Sequence, residues 1–343
     1  MSMGMTMQEL IAKVGRGERS AKDLTYQEAS SAMRLLLENT ATPFQSGAFL
    51  LAMRMKVESV AELAAFTSVA REYAAPLPLP AELNVVDIPT YAGKQDSWHV
   101  LLPASIVASA AGCRVLLHGY DGALNRISTA AMATRLGIPT DFTPDRVAAQ
   151  IAEKGWAYLD IALYHPAMYR YLELRKELGV RTFFQPVARL LNPARAASSL
   201  IGISHPPYFE KIAEASRMLG TPRVLVLRGL EGEPELSTIS VTKAIELRND
   251  HLTPMTLQPK DFGMMFEGSS EIAAPGIDAE AELIAKLMSN DLPGPKRDWV
   301  IMNAAAILYA CGKAASIKDA VPLALGALRS GAAEKKLQEL AQS

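Results

Sequence analysis

Residues 85–119, VVDIPTYAGKQDSWHVLLPASIVASAAGCRVLLHG, restrict this chain to few architectures. A β-branched apolar run (residues 85–88) gives way to a polar turn holding Gly93. Small residues at helical spacing follow over residues 101–111, stop at Gly112, and lead into a second apolar run at 114–117. This order predicts a β-loop-α-β unit. In an open α/β sheet ligands lie beyond the carboxyl ends of the strands, so the loop from Thr90 to His99 and the turn after Leu117 are expected to face one crevice.

Alternation continues downstream. Helices are predicted over residues 128–137, 144–154, 166–178 and 207–219, with strands at 156–161 and 223–227, the pattern of a mostly parallel sheet covered on both faces. Two looser stretches, 236–247 and 252–257, read as strands. From Asp278 the chain is helical again, over 279–288, 298–311 and 316–330. Ahead of the sheet no strand is expected. Leu10 and Val14 suit a first helix, Thr25-Tyr-Gln-Glu28 is a capping box before Met33, Leu36 and Leu37, and Thr42-Pro43 opens a helix over 44–56, with one more over 59–73. Gly47, inside the third helix, marks a close helix crossing, within the chain or between subunits. Pro76-Leu-Pro-Leu-Pro80 is a stiff linker.

With 343 residues the chain has room for two domains. A formal net charge of −1 means that the field of the whole protein does not single out a polyanion, although a local basic groove is compatible with it. No apolar run reaches membrane-spanning length and no secretory leader is recognisable. Cys113 and Cys311, without a Cys or His neighbour in sequence, read as buried free thiols. A cytoplasmic, membrane-free protein is therefore expected.

Several blocks, QSGAFLLAMRMK, HPAMYRYLELRKELGVRTFF, LLNPA and PGPKRDWVIMNAAAILYACGKAASI, resemble the anthranilate phosphoribosyltransferase family in order and spacing over nearly the whole chain. The resemblance implies a small all-helical domain (residues 1–75 with an insertion at about 166–187). It further implies a large α/β domain with a mostly parallel central sheet (81–165 and 188–343), an active-site cleft between the two, and a homodimer meeting through the helical domain. The family's reaction transfers a phosphoribosyl group from phosphoribosyl pyrophosphate (PRPP) to the anthranilate amine, with magnesium.

Against that family the donor motifs are altered. The phosphate loop GTGGD followed by NIST reads Pro89-Thr-Tyr-Ala-Gly93 and His99-Val-Leu-Leu102. The element KHGN reads Leu117-His-Gly-Tyr120, and the acidic magnesium pair of GLDELS reads Gly232-Glu-Pro-Glu235-Leu-Ser237. Backbone amides and hydroxyls that cradle a pyrophosphate, and one metal carboxylate, are thereby lost. The acceptor side keeps His165, Arg175 and Asn192, while a family Gly-Pro is replaced by Ala188-Arg189. The segment Arg228-Gly-Leu-Glu-Gly-Glu-Pro234 is similar to divergent paralogues, some implicated in nucleic-acid binding. For that role the candidates are Lys94, His99, Arg126, Arg189 and Arg228, with Tyr91, Trp98 and Tyr120 as stacking partners.

Bland readings stand beside these. His118 is a structural histidine or a crevice ligand; His165 is a helix cap or a pocket residue; Lys94 and Asp96 form a solvated turn or part of the crevice. Glu231, Glu233 and Glu235 form a solvated turn or a degraded magnesium site, with Glu235 the remaining metal candidate. Arg126, Arg189 and Arg228 together point to an anionic ligand. Two function classes follow: a phosphoribosyltransferase-like glycosyltransferase holding an anionic, phosphate-containing ligand in the cleft, or a non-catalytic paralogue binding single-stranded nucleic acid. Ordinary anthranilate phosphoribosyltransferase activity is not expected.

Overall fold

The first four helices start in the same way. Thr6, Thr25, Thr42 and Ser59 each accept from the backbone N–H three residues on, and the side chains of Glu9, Glu28, Gln45 and Glu62 reach back to the capping residue's own N–H. Each such box is worth about 1 kcal/mol to its helix. They set α1 (Met7–Val14), α2 (Tyr26–Leu37), α3 (Pro43–Lys56) and α4 (Val60–Tyr73). Glu62 is fully buried because its box also takes the Leu24 N–H at 2.7 Å and Lys56 Nζ at 2.8 Å.

The structure, a computed structural model, describes residues 5–17, 20–80, 82–90, 93–94, 97–120, 126–229, 234–264 and 273–343. Tyr91, Ala92, Asp96, Glu231 and Glu233, singled out above, lie outside them. The β-loop-α-β unit is present as β1 (Val85–Pro89), α5 (Leu101–Ala110) and β2 (Arg114–Gly119). After α6 (Thr129–Arg135) and α7 (Pro144–Lys154) come β3 (Trp156–Asp160), α8 (Ile161–Tyr164), α9 (Pro166–Glu173), α10 (Arg175–Leu178) and α11 (Phe184–Leu190). Next are β4 (Ser198–Gly202), α12 (Phe209–Met218), β5 (Arg223–Arg228), β6 (Thr242–Arg248) and β7 (His251–Leu257). Four helices end the chain: α13 (Ile277–Met288), α14 (Pro295–Ala310), α15 (Ile317–Arg329) and α16 (Ala332–Ala341).

The sheet runs β3-β2-β1-β4-β5-β6-β7, parallel from β3 to β5 and antiparallel at β6 and β7. Strand residues alternate between two cores, as the period of two requires. Val86, Ile88, Val115, Leu117, Tyr158, Leu225 and Leu227 pack with α5, α14, α15 and α16. Val85, Leu116, Ala157, Leu159, Val224 and Val226 pack with the N-terminal helices and with α7, α9, α11 and α12. Both α5 and α14 are buried on almost every side, which is why their sequences are apolar all round.

The structure corrects several expectations. Strand β4, in the middle of the sheet, was not expected from its Ser-Ser-Leu-Ile-Gly sequence. Residues 236–240 are not strand. Asn303 and Trp299 of α14 capture the Leu236 backbone, and the Ser237 hydroxyl accepts from the N–H groups of Ile239 and Ser240. β6 begins only at Thr242 and turns into β7 at Asn249-Asp250, both at positive φ (48° and 67°), the geometry of a tight two-residue hairpin. Gly47 is not at a crossing within the chain: no atom lies within 4 Å of a Cβ built there. Cys113 and Cys311, distant in sequence, are adjacent in the fold; the Cys113 thiol hydrogen-bonds Cys311, and both remain free. No helix among the described residues is long and apolar enough to cross a membrane.

Candidate functional site

The strand order reverses between β1 and β4, so the crevice of this sheet opens beyond Pro89 and Gly202. Among the described residues it is nearly filled. Pro234 and Glu235 lie over the strand ends, so close that a Cβ on Gly202 would stand 2.1 Å from the Pro234 carbonyl oxygen and 2.6 Å from its Cβ. Trp299 Nε1 donates to Leu236 O at 2.5 Å, while Asn303 accepts from Leu236 N–H and donates to its carbonyl, both at 3.0 Å. What remains among Ile88, Leu101, Leu200, Glu235 and Asn303 is a cavity of about 10 Å³, close to the minimum for one water.

A buried ion pair and a buried histidine–carboxylate contact occupy the adjoining space. Lys94 is tied to Ile127 by paired backbone hydrogen bonds of 2.9 and 3.0 Å. Its ammonium is 2.8 Å from Glu235 Oε2, 3.2 Å from Trp98 O and 4.7 Å from the centre of the Trp299 ring, with both charged side chains under 5% exposed. His99, just ahead of α5, donates its backbone N–H to Glu280 Oε1 from α13. Its Nδ1 is 2.8 Å from the same oxygen, and its Nε2 is 2.6 Å from Ile127 O. Glu280 is wholly buried. A carboxylate of the chain thus stands at the approach to an uncapped helix N-terminus, where the helix field favours negative charge.

The other candidates separate into two groups. His118 is fully buried, its Nε2 3.2 Å from Asp87 Oδ1 and its Nδ1 3.2 Å from Tyr164 Oη. His165 is buried too; its Nδ1 caps α9 by accepting from Met168 N–H, and burial lowers its pKa to about 4, so the ring stays neutral. Asn192 holds a left-handed turn (φ 46°), bridging the Ala196 backbone with two 2.8 Å hydrogen bonds. Arg189 donates to Gly202 O at 2.7 Å, Arg228 covers the Phe209 ring at 5.8 Å, and Trp98 is fully buried, away from any stacking base. Among the described residues no cluster of three His, Cys, Asp or Glu is arranged to hold a metal. Glu235, the one magnesium candidate described, faces an ammonium, an arrangement that does not suit a bound cation.

Arg126 and Arg175 behave differently. They share their surroundings with two residues that no motif singled out, Arg181 and Arg54. Arg181 keeps an open face, yet its pKa is lowered, first by lost hydration and then by the positive charges of Arg175, Arg126 and Arg54. Among the described residues none of these four arginines has an ion-pair partner.

Fold, sheet order and N-terminal helical cap are the architecture of the glycosyl transferase family. The chain matches the glycosyl transferase family's helical bundle domain over residues 8–74 and its a/b domain over residues 83–334. It is 35% identical to an anthranilate phosphoribosyltransferase from Methanocorpusculum labreanum over 96% of this chain and 97% of that protein. The crystal structure of the Thermus thermophilus enzyme superposes with a TM-score of 0.87 at 30% identity, covering 98% of each chain. The yeast enzyme in complex with PRPP and Mg superposes with a TM-score of 0.85 at 20% identity, covering 98% of this chain and 97% of that one, a likeness of fold. The protein belongs to the anthranilate phosphoribosyltransferase family.

Trp299, Asn303, Glu280, Arg54 and Arg181 were missed from sequence. Asn303 carried a signal, being a lone amide inside the apolar run WVIMNAAAILYA. Glu280 carried none.

Proposed function

We propose that this chain is a family member of the divergent, degenerate-loop kind. In this reading it binds an anionic, phosphate-containing ligand between its helical and α/β parts and does not transfer phosphoribosyl from PRPP to anthranilate. The carrying observation is the Lys94–Glu235 pair. The surviving carboxylate of the magnesium motif is neutralised at 2.8 Å by a lysine of the altered phosphate loop. The His99–Glu280 contact supports the same reading, since an internal carboxylate competes with a pyrophosphate for the α5 approach. Stabilising a departing pyrophosphate needs preorganised donors and a metal, and each missing donor typically costs 10²- to 10³-fold. The test is loss of anthranilate fluorescence with excess PRPP and magnesium. No turnover is expected, and a rate of about 1 s⁻¹ or above overturns the reading.

A second reading, non-catalytic binding of single-stranded nucleic acid, is favoured by one observation, the four arginines without ion-pair partners among the described residues. It predicts affinity for an oligonucleotide that falls steeply with salt. The domain assignment belongs to the same proposal. Residues 166–187 go with the helical domain, supported by Tyr171 Oη and Arg170 Nη2 both donating to Leu36 O and by Phe183 stacked on Phe66 at 4.3 Å. A homodimer fits α3, whose Phe44 (91% exposed), Leu51 and Met55 form an apolar stripe beside the open Gly47. Light scattering at micromolar concentration is expected to give twice the 37.0 kDa chain mass, and Phe44→Glu with Met55→Glu to give the monomer.

A further inference from the structure

We infer that Cys113 and Cys311 form an oxidation site, in which a hydroperoxide oxidises Cys311 and Cys113 then closes a reversible disulfide between the end of α14 and the start of β2. The site lies at the amino ends of the strands, opposite the crevice, and does not depend on which ligand the protein binds.

Two helix ends bring the thiols together. α5 and α14 pack in one core and close with the same glycine turn. After α5, Gly112 (φ 88°) lets the Cys113 N–H reach back to Ala108 O at 3.0 Å. After α14, Gly312 (φ 81°) lets the Lys313 N–H reach back to Leu308 O at 2.9 Å. Cys113 follows one glycine and Cys311 precedes the other. Further contacts set the two turns side by side. Asn84 Nδ2 donates to Cys311 O at 3.0 Å, and Asn84 stands beside Cys113, because Val85 and Arg114 are level in the parallel β1–β2 pair. A Cβ built on Gly112 would lie 3.7 Å from Lys313 Nζ. The Cys113 thiol itself donates to the Cys311 sulfur.

The pair is asymmetric, and that gives each sulfur its part. Cys311 also accepts from the Arg114 N–H and has two cations nearby, Lys313 and Arg223, the latter with Nη1 3.6 Å from a Cβ built on Gly312. Its pKa is lowered to about 7, first by the Cys113 hydrogen bond, against its burial, and then by Lys313, the Arg114 N–H and Arg223. Glu246 is engaged by Tyr309 at 2.7 Å and by Arg223 Nη2 at 3.6 Å. The Cys113 thiol is held protonated by its hydrogen bond to Cys311 and by burial. A thiolate, not a thiol, attacks a peroxide, and neighbouring cations favour that form. Cys311 is therefore oxidised first, and Cys113, already in contact, resolves it. The two side chains are buried, but Gly112, Gly312 and Lys313 around them are exposed, so a small oxidant is the one that reaches them.

The step balances with one peroxide. The Cys311 thiolate takes one peroxide oxygen and becomes a sulfenic acid, while the other oxygen leaves as water with the proton that Cys311 gave up. The Cys113 sulfur then attacks the sulfenic sulfur, and the hydroxyl leaves with the Cys113 proton as a second water. A dithiol such as dithiothreitol reverses the product by exchange. The new bond fastens the end of the helix whose Trp299 and Asn303 hold the Leu236 backbone over the crevice.

The test is the intact mass of the full-length protein treated with hydrogen peroxide, then unfolded and alkylated with N-ethylmaleimide. The reduced chain, with its 2 cysteines, takes a label on each. After peroxide it is expected to take none and to be lighter by a pair of hydrogens, and dithiothreitol should restore both labels. In Cys113→Ser, dimedone should trap a sulfenic acid on Cys311, whereas in Cys311→Ser the other thiol should stay free for labelling. Oxidised wild type should melt about 5 °C above the reduced protein, a shift absent from Cys113→Ser. Should Cys113→Ser not fold, the wild-type masses and a peptide map of the linked cysteines decide alone. Both labels retained after excess peroxide, a gain of oxygen in place of lost hydrogen, a link between chains, or a disulfide formed only in urea overturns the site. Dimedone captured by Cys113 in Cys311→Ser as readily as by Cys311 in Cys113→Ser overturns the order of attack.

Discussion

Replacing Lys94 by methionine keeps most of the stem packed against Trp299 and removes the ammonium from Glu235. The consequence follows from burial: the two charged side chains are 4% and 3% exposed and 2.8 Å apart. Removing one partner of such a pair leaves an uncompensated charge in a dry site and costs about 3–5 kcal/mol, whereas replacing both by apolar groups is often neutral or stabilising. Lys94→Met is therefore expected to lower the urea midpoint by about 1 M or more, and Lys94→Met with Glu235→Leu to recover most of it. Trp98 and Trp299 both adjoin Lys94, so tryptophan fluorescence reports the transition at the pair itself. A loss under about 1 kcal/mol for Lys94→Met, the range of exposed pairs, would mean that water reaches Glu235. The crevice would then be open, and the argument against donor binding would fail.

Two further outcomes follow from the buried groups. His165 has a pKa of about 4 in the fold against an ordinary 6.5, so the unfolded chain takes up the proton first, and stability falls as pH drops through 6.5 toward 4, by about 3 kcal/mol in all. Urea midpoints at pH 7.5 and 4.5 should fall less for His165→Gln than for the wild type; equal losses refute the assignment. Gly202→Ala sets a methyl 2.1 Å from the Pro234 carbonyl oxygen, and since both contacts lie close to backbone, the 234–236 segment must lift or the strand end must shift. A thermal midpoint lowered by several degrees and altered Trp299 emission are expected; wild-type values for both would mean that the crevice is not closed in this way.

Local signals made much of the fold legible. Capping residues, proline first turns and glycine stops act within a few residues of the boundary they set, so the helices before residue 75 and the first β-loop-α-β unit could be read directly. β4 has no such signal. Its two serines resemble a loop, and it is a strand because β1 and β5 pair with it from both sides. Residues 236–240 fail in the opposite sense. Their pattern suits a strand, but a tryptophan and an asparagine 63 and 67 positions away take the Leu236 backbone first. At the site, the family resemblance gave the expectation that the donor motifs are altered. It had no means of identifying what fills the space, because Lys94 and Glu235 are 141 positions apart and His99 and Glu280 are 181 apart.

On the proposed reading, the Lys94–Glu235 pair and the His99–Glu280 contact describe one redistribution of polar partners. The yeast relative is seen in complex with PRPP and Mg, one anionic and one cationic partner. Here a lysine faces the motif's carboxylate, and a carboxylate faces the approach to α5, so both signs are met within the chain. Among the described residues, the lysine and the carboxylate of that part of the crevice answer each other. The four arginines of α3, the segment before α6, α10 and the α10–α11 link are the reverse case: positive charges without ion-pair partners among the described residues, Arg181 having its pKa lowered first by lost hydration and then by the other three. An anion gains most where charge is unbalanced and least where it is already paired. Binding is therefore expected to move from the sheet crevice to the arginine face, and Lys94→Met, which unbalances the crevice, should leave the anion affinity of that face unchanged.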